Sequence, residues 1–295
     1  SGNLLMKVYL VFNNLQSTDT NEEMDKIAQE SVTMVTKHNN DIYLNEKLFD
    51  RVKYIYQERD KLNLSIEQKT VLENYYLDFI DGGTNLSPRE KERFRQINEE
   101  IAQLTVTFGE NVRKENSNFQ LIVDKKEDLV GLNDALVQSA KEKAEAKGLT
   151  GKWIFTIDKP TLIPCLRYFA NREIREKLYK AYMNRGNNNN EFDNKKNLAR
   201  VISLRVEKAK LLGYKTYADY KLLRRMAKKP ENVYKFLNNI MTPALQKGKT
   251  EVEEMQKVIN EEAGNFKLEP WDWWYYSEKI YKNKFDLDEE IFRPY

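Results

Sequence analysis

Histidine and cysteine are nearly missing from this chain of 295 residues: His38 is the only histidine and Cys165 the only cysteine. A catalytic zinc normally takes three protein ligands, usually with at least two His or Cys among them. One of each, far apart in the sequence, does not supply such a site. A single cysteine also excludes an internal disulfide and any Cys-based metal cluster. A Ser-His-Asp arrangement would have only His38 to use. That residue lies in Thr36-Lys37-His38-Asn39-Asn40, which reads as a helix C-terminus running into a turn, where histidine interacts favourably with the dipole. Cys165 sits in the apolar stretch Leu162-Ile163-Pro164-Cys165-Leu166 and reads as a buried structural thiol, since reactive thiols occupy exposed electropositive sites.

Other shortages narrow the class further. Eleven glycines and seven prolines are few for this length. With abundant Lys, Glu, Leu and Ala, that points to long helices. The longest apolar run is short, so no transmembrane span and no membrane partner are expected. Net charge is only +3, from 49 basic and 46 acidic residues of mixed order, so no nucleic-acid partner is implied. The densest basic stretch, Arg224-Arg225-Met226-Ala227-Lys228-Lys229, reads as a solvated helix end. Gly82-Gly83 lacks the Lys and Ser/Thr of a phosphate loop. No Glu-x-x-His pair exists for a helical di-metal site.

What is present is helical periodicity. Residues 21–38 carry Met24, Ile27, Ala28, Val32 and Val35 near helical spacing, and Asn39-Asn40-Asp41 is expected to break that helix. Residues 46–60 form the next. Ser65-Ile66-Glu67-Gln68 is a capping-box pattern opening a helix that stops at Gly82-Gly83. Ser87 as N-cap and Pro88 at the first helical position begin the clearest helix. Its Phe94, Ile97, Ile101, Leu104, Phe108 and Val112 recur at steps of 3, 4, 3, 4 and 4.

Two strands, near Phe119–Val123 and Trp153–Ile157, flank a helix over 133–146 and are expected to pair. Further helices are expected near 161–170, 172–184, 192–212, 216–226 and 231–263. The predicted fold class is therefore mainly α: a multi-helix body with a small two-stranded β element near residues 119–157. Residues 1–118 read as helical, 119–160 as a small α/β insert, and 161–295 as helical. No Ser/Gly/Pro linker marks a boundary.

Candidate chemistry is sparse. The pairs Glu99-Glu100 and Glu253-Glu254 lie on helices dense in Lys and Arg and read as solvated surface. The most unusual stretch is Trp271-Asp272-Trp273-Trp274-Tyr275-Tyr276, five aromatics in six residues. It suits core packing at a helix start, or a wall facing a cavity. Trp271, Tyr275 and Tyr276 are the candidate substrate-contacting residues.

An ordered set of segments resembles a known family. It opens with Arg172-Glu173-Ile174-Arg175-Glu176-Lys177-Leu178-Tyr179-Lys180-Ala181-Tyr182, followed by Arg185-Gly186 and Asp193-Asn194. Arg205, Ala209 and Leu211-Leu212-Gly213-Tyr214 come next, then Tyr217-Ala218, Tyr220 and Met226-Ala227, then Trp271-Asp272, Tyr275-Tyr276 and Glu278. This order resembles the thimet oligopeptidase / peptidyl-dipeptidase family of zinc metallopeptidases. Upstream, Asn45–Val52, the Ser87–Asn111 helix, Leu129-Val130-Gly131-Leu132 and Gly151-Lys152-Trp153 resemble its peptidyl-dipeptidase (dipeptidyl carboxypeptidase) branch.

The resemblance implies a helix-rich enzyme with a deep channel that admits short peptides. In the family, zinc is held by the two histidines of a His-Glu-x-x-His helix and a later glutamate. The motif's own Glu acts as base on the zinc-bound water. The branch releases dipeptides from the C-terminus.

No position here matches a zinc ligand or the catalytic Glu, because in the family that helix lies downstream of the Trp-Asp…Tyr-Tyr region. The chain is therefore expected to be one helical fragment, residues 1–295, cut at both ends and upstream of the catalytic part of the same protein. Zinc is expected in the parent and none in this chain, which is expected to be inactive alone. The alternative is a stand-alone helical peptide-binding or scaffolding module. Compartment stays open between cytoplasm and periplasm.

Overall fold

Short-range signals set most helix starts. In the computed structural model, which describes residues 2–285, Asn21 accepts the backbone N–H of Met24 and opens α2 (Glu22–Tyr43). Asn45 does the same for Leu48 at α3 (Glu46–Gln57). Ser65 and Gln68 form the expected reciprocal capping box at α4 (Ile66–Asp81). At α5 (Pro88–Asn118) the Glu90 carboxylate accepts from the Ser87 N–H at 2.9 Å. Asn133, Asp158 and Asn171 cap α6 (Asp134–Glu145), α7 (Lys159–Tyr168) and α8 (Arg172–Met183). Each such cap satisfies backbone donors that a helix leaves without partners.

The remaining helices are α1 (Asn3–Thr18), α9 (Lys195–Leu211), α10 (Tyr217–Leu222), α11 (Pro230–Glu261) and α12 (Trp273–Phe285). Short 3₁₀ turns lie at Lys126–Leu129 and Pro270–Asp272. The strands β1 (Leu121–Val123) and β2 (Trp153–Phe155) pair antiparallel, with Leu121 opposite Phe155 and Val123 opposite Trp153. The mainly α class with its small sheet is therefore what the chain adopts. None of the described helices is long and apolar enough to cross a membrane.

Three expectations need correction. Asn39-Asn40-Asp41 does not end α2, which continues to Tyr43. The reason is tertiary: Asn40 is buried, and its Oδ1 accepts from Asn98 Nδ2 at 2.7 Å, which outweighs the weak helix preference of asparagine. His38 consequently sits exposed inside α2 and caps nothing. The helix expected over 216–226 ends at Leu222. Residues 3–18, inside the stretch read as helical but with no helix of their own delimited, form one.

The chain divides into two compact units. One draws on Ser1–Asn111 and Asn194–Val233, the other on Val112–Asp193 and Tyr234–Tyr295. Both are discontinuous in sequence, so no linker composition announces them.

The first unit is built round aromatic contacts between α2, α3 and α4. Phe49 and Phe79 are buried, Tyr43 meets Phe79 edge-on at 5.4 Å, and Tyr56 stacks on Tyr76 at 4.1 Å. Gly82 makes this approach possible, since a Cβ there would lie 2.7 Å from the Cβ of Tyr43. Phe94 and Ile97 of α5, with Val201 and Leu204 of α9, add further buried side chains.

The second unit packs α6, α7 and α8 against the small sheet. Its core holds Phe155, Ile157, Leu162, Cys165, Phe169 and Leu178, all nearly or wholly inaccessible. Gly131 keeps the loop after β1 close to α7: its φ is +98°, and a Cβ would sit 1.9 Å from the carbonyl oxygen of Tyr168. A smaller core joins Met255 and Ile259 of α11 to Tyr276 of α12.

Candidate functional site

The aromatic stretch is held in place by charge. Arg172 and Arg175 stand three residues apart on α8 and so share a face. Both reach Asp272, in the 3₁₀ turn ahead of α12. Arg172 donates through Nε and Nη2 at 2.9–3.0 Å, and Arg175 through Nη2 at 2.9 Å. Asp272 also accepts the backbone N–H of Glu269. Its side chain is fully inaccessible, and that of Arg175 is 1% exposed.

One carboxylate therefore faces two guanidinium groups. Arg175 makes up the difference with carbonyls, donating through Nη1 to Phe169 at 2.7 Å and to Ala170 at 3.1 Å. Aromatic faces take the rest: Arg175 lies 4.1 Å from the Tyr275 ring, and Arg172 lies 4.4 Å from Phe266 and 5.4 Å from Trp271. The Asp272 cluster thus clamps the start of α12 onto α8.

The three candidates fall into different surroundings. Tyr276 is buried against Met255, Ile259 and Phe266, and that burial raises its phenol pKa. Tyr275 is half-buried between Arg175 and Lys279, the latter 4.5 Å from its ring. Trp271 is half-buried beneath Lys180 at 4.8 Å and beside Tyr179, and its indole N–H is enclosed without an acceptor.

A cavity of about 420 Å³ in the same unit is lined by Arg167, Trp273, Trp274, Ser277, Glu278 and Tyr281 instead. Trp273 and Trp274 belong to the stretch read from sequence as a possible cavity wall but were not among the three named candidates, and Tyr281 lies outside that stretch. Their spacing along a helix that begins at Trp273 is the signal that would have placed them together.

The metal-competent side chains are few. His38 is exposed on α2 of one unit, while Cys165 is wholly buried in the core of the other. Burial drives the Cys165 thiol pKa far up, so it is neither a ready ligand nor a nucleophile. Among the described residues no three His, Cys, Asp or Glu side chains gather as a metal site. The described residues do not fit a catalytic zinc.

Comparison with known proteins places this architecture. Residues 165–295 match the profile of peptidase family M3. The whole chain is 34% identical to the dipeptidyl carboxypeptidase of Escherichia coli strain K12, over 295 residues, and covers 43% of that protein. Oligopeptidase A of Haemophilus influenzae is 30% identical over 99% of the chain, which covers 43% of that protein. Saccharolysin of Saccharomyces cerevisiae is 25% identical over 95% of the chain and 40% of its own length. The chain thus spans less than half the length of the curated relatives it matches.

Proposed function

We propose, from the premise that this chain belongs to peptidase family M3, the thimet oligopeptidase and peptidyl-dipeptidase family, that it is the helical, non-catalytic portion of a zinc-dependent enzyme hydrolysing short peptides. The observation that carries this is the 34% identity to a dipeptidyl carboxypeptidase along the entire chain. The same relative favours release of C-terminal dipeptides over internal cleavage.

The donor set supports an inactive chain. With one histidine exposed and one cysteine sealed in a core, nothing among the described residues offers a zinc site or a base for its water. Zinc and its attacking water belong to the remainder of the parent enzyme.

Metal analysis of the purified chain, together with a peptide-release assay, tests the reading. The expected result is no stoichiometric zinc and no cleavage. One tightly held zinc per chain, with chelator-sensitive hydrolysis, would overturn it. Reading the genomic frame past Tyr295 separates the stand-alone module: a frame continuing into His-Glu-x-x-His supports the enzyme, and a stop codon supports the module.

In the complete enzyme the half-exposed faces of Trp271 and Tyr275 contribute to the wall of the peptide channel, with Tyr276 anchoring them. Replacing Tyr275 by Ala in that enzyme raises KM for a short peptide more than it lowers Tm. Lowered Tm with unchanged kinetics would assign the ring to packing instead.

A further inference from the structure

The first unit holds a cavity of about 670 Å³ between α2, α4, α5, α9 and α10, and its charges are unevenly matched. Its two carboxylates, Asp78 and Asp81, are both engaged by Arg224, at 2.6 and 3.2 Å. Three further cations line it: Lys208, Lys221 and Arg225. None of the three forms a direct ion pair among the described residues, and only Lys221 feels a carboxylate, Asp81, which Arg224 already engages.

Lys208 is the innermost. Its ammonium donates to the amide oxygen of Asn98 and lies 4.7 Å from the Phe94 ring. Neither neighbour carries a negative charge. Burial, with repulsion from Lys221, pulls its pKa down to about 8, so at neutral pH it is still charged. Asn98 passes its own N–H to Asn40 Oδ1, which leaves the Asn40 amide N–H group buried with no acceptor.

A desolvated cation and an unanswered donor sharing one cavity is a costly arrangement unless something negative completes it. The walls also include Tyr43, Phe94 and Ile101, which offer an apolar surface.

We propose that this cavity binds a small molecule carrying an oxyanion, carboxylate or phosphate, on an apolar or aromatic body. The oxyanion meets Lys208, with Lys221 and Arg225 at the rim, and the body lies against Phe94 and Tyr43. The volume falls in the range of small-ligand pockets, far larger than an inorganic ion needs. The site is separate from the peptidase reading and does not depend on it.

Isothermal titration calorimetry of the chain at pH 7 with phenyl phosphate and with 3-phenylpropionate provides the test. Inorganic phosphate and the neutral 3-phenylpropanol serve as comparisons. The expected result is saturable binding of at least one aryl oxyanion, weaker binding of inorganic phosphate, and none of the alcohol. Whichever oxyanion binds more tightly names the group.

Lys208→Met is expected to weaken binding about tenfold or more, the worth of a charge-assisted hydrogen bond. The rim variant Lys221→Gln/Arg225→Gln changes only side chains at the cavity mouth, keeps the fold, and is expected to weaken binding several-fold. Equal affinity for the alcohol, no binding of either oxyanion, or an unchanged affinity in the rim variant would each overturn the proposal.

Discussion

Asp272 is wholly inaccessible, so its charge rests on the two guanidinium groups it faces and on the Glu269 N–H. Removing one member of a buried ion cluster leaves the others uncompensated, at a cost of about 3–5 kcal/mol. Asp272→Asn, which keeps the shape, is therefore expected to lower the unfolding free energy by that amount, read as a lower urea midpoint at constant m. The double variant Arg175→Met/Asp272→Leu should recover a large part of it, because apolar packing replaces a buried pair at little loss. Lys208 provides a second residue-level expectation. Its folded pKa of about 8 lies below the ordinary lysine value, so between the two the unfolded chain binds more protons than the folded one. The Lys208 contribution to stability then rises with pH from about 8 to about 10. Lys221, also lowered by burial, adds to the rise. The buried Cys165 thiol, which keeps its proton when folded, works against the rise from about pH 8.5, where an unfolded thiol ionises, and Tyr43 and Tyr220, whose pKa values burial raises, do so above about pH 10. A melting series in Lys208→Met should show a flatter rise than the parent chain. None of this charge arrangement was legible beforehand. Asp272 appeared only as the odd residue in an aromatic run, because its partners lie about a hundred positions away.

At the scale of single elements the sequence was far more readable. Ser65, Ser87 and the glycine pair after α4 marked helix ends through chemistry confined to a few neighbouring residues, and the chain uses them so. Ser87→Ala is accordingly expected to cost about 1 kcal/mol, the usual worth of an N-cap, measured by chemical denaturation. Where the reading failed, the deciding contact was distant. Asn40 continues α2 because Asn98 answers it from α5, and no window centred on Asn39-Asn40-Asp41 contains that information. Residues 3–18 carry no legible helix boundary because their apolar side chains surround the helix instead of forming a stripe, and none of them is buried. Gly131 is the sharpest element-level case. A side chain there would collide with the Tyr168 carbonyl and would have to adopt a left-handed backbone, so Gly131→Val is expected to unfold the second unit.

At the scale of the whole chain, the order of elements could be read but their grouping could not. Each unit gathers segments from two stretches of sequence, and composition does not change where one gives way to the other. The long helix α11 carries Tyr234, Leu237, Ile240, Met241 and Leu245 exposed in its first half. An apolar surface of that kind binds hydrophobic dyes. The native chain is expected to enhance 1-anilinonaphthalene-8-sulfonate fluorescence, and Leu237→Glu/Met241→Glu to reduce it with circular dichroism unchanged. Cys165 has a different consequence for the molecule as a whole. A lone sulfhydryl sealed behind Leu162, Leu166 and Phe169 can be reached by a reagent only when the interior of its unit parts. The rate at which a disulfide dye modifies it is then a clock for that one breathing event. The other unit, which has no sulfur of this kind, leaves the clock undisturbed.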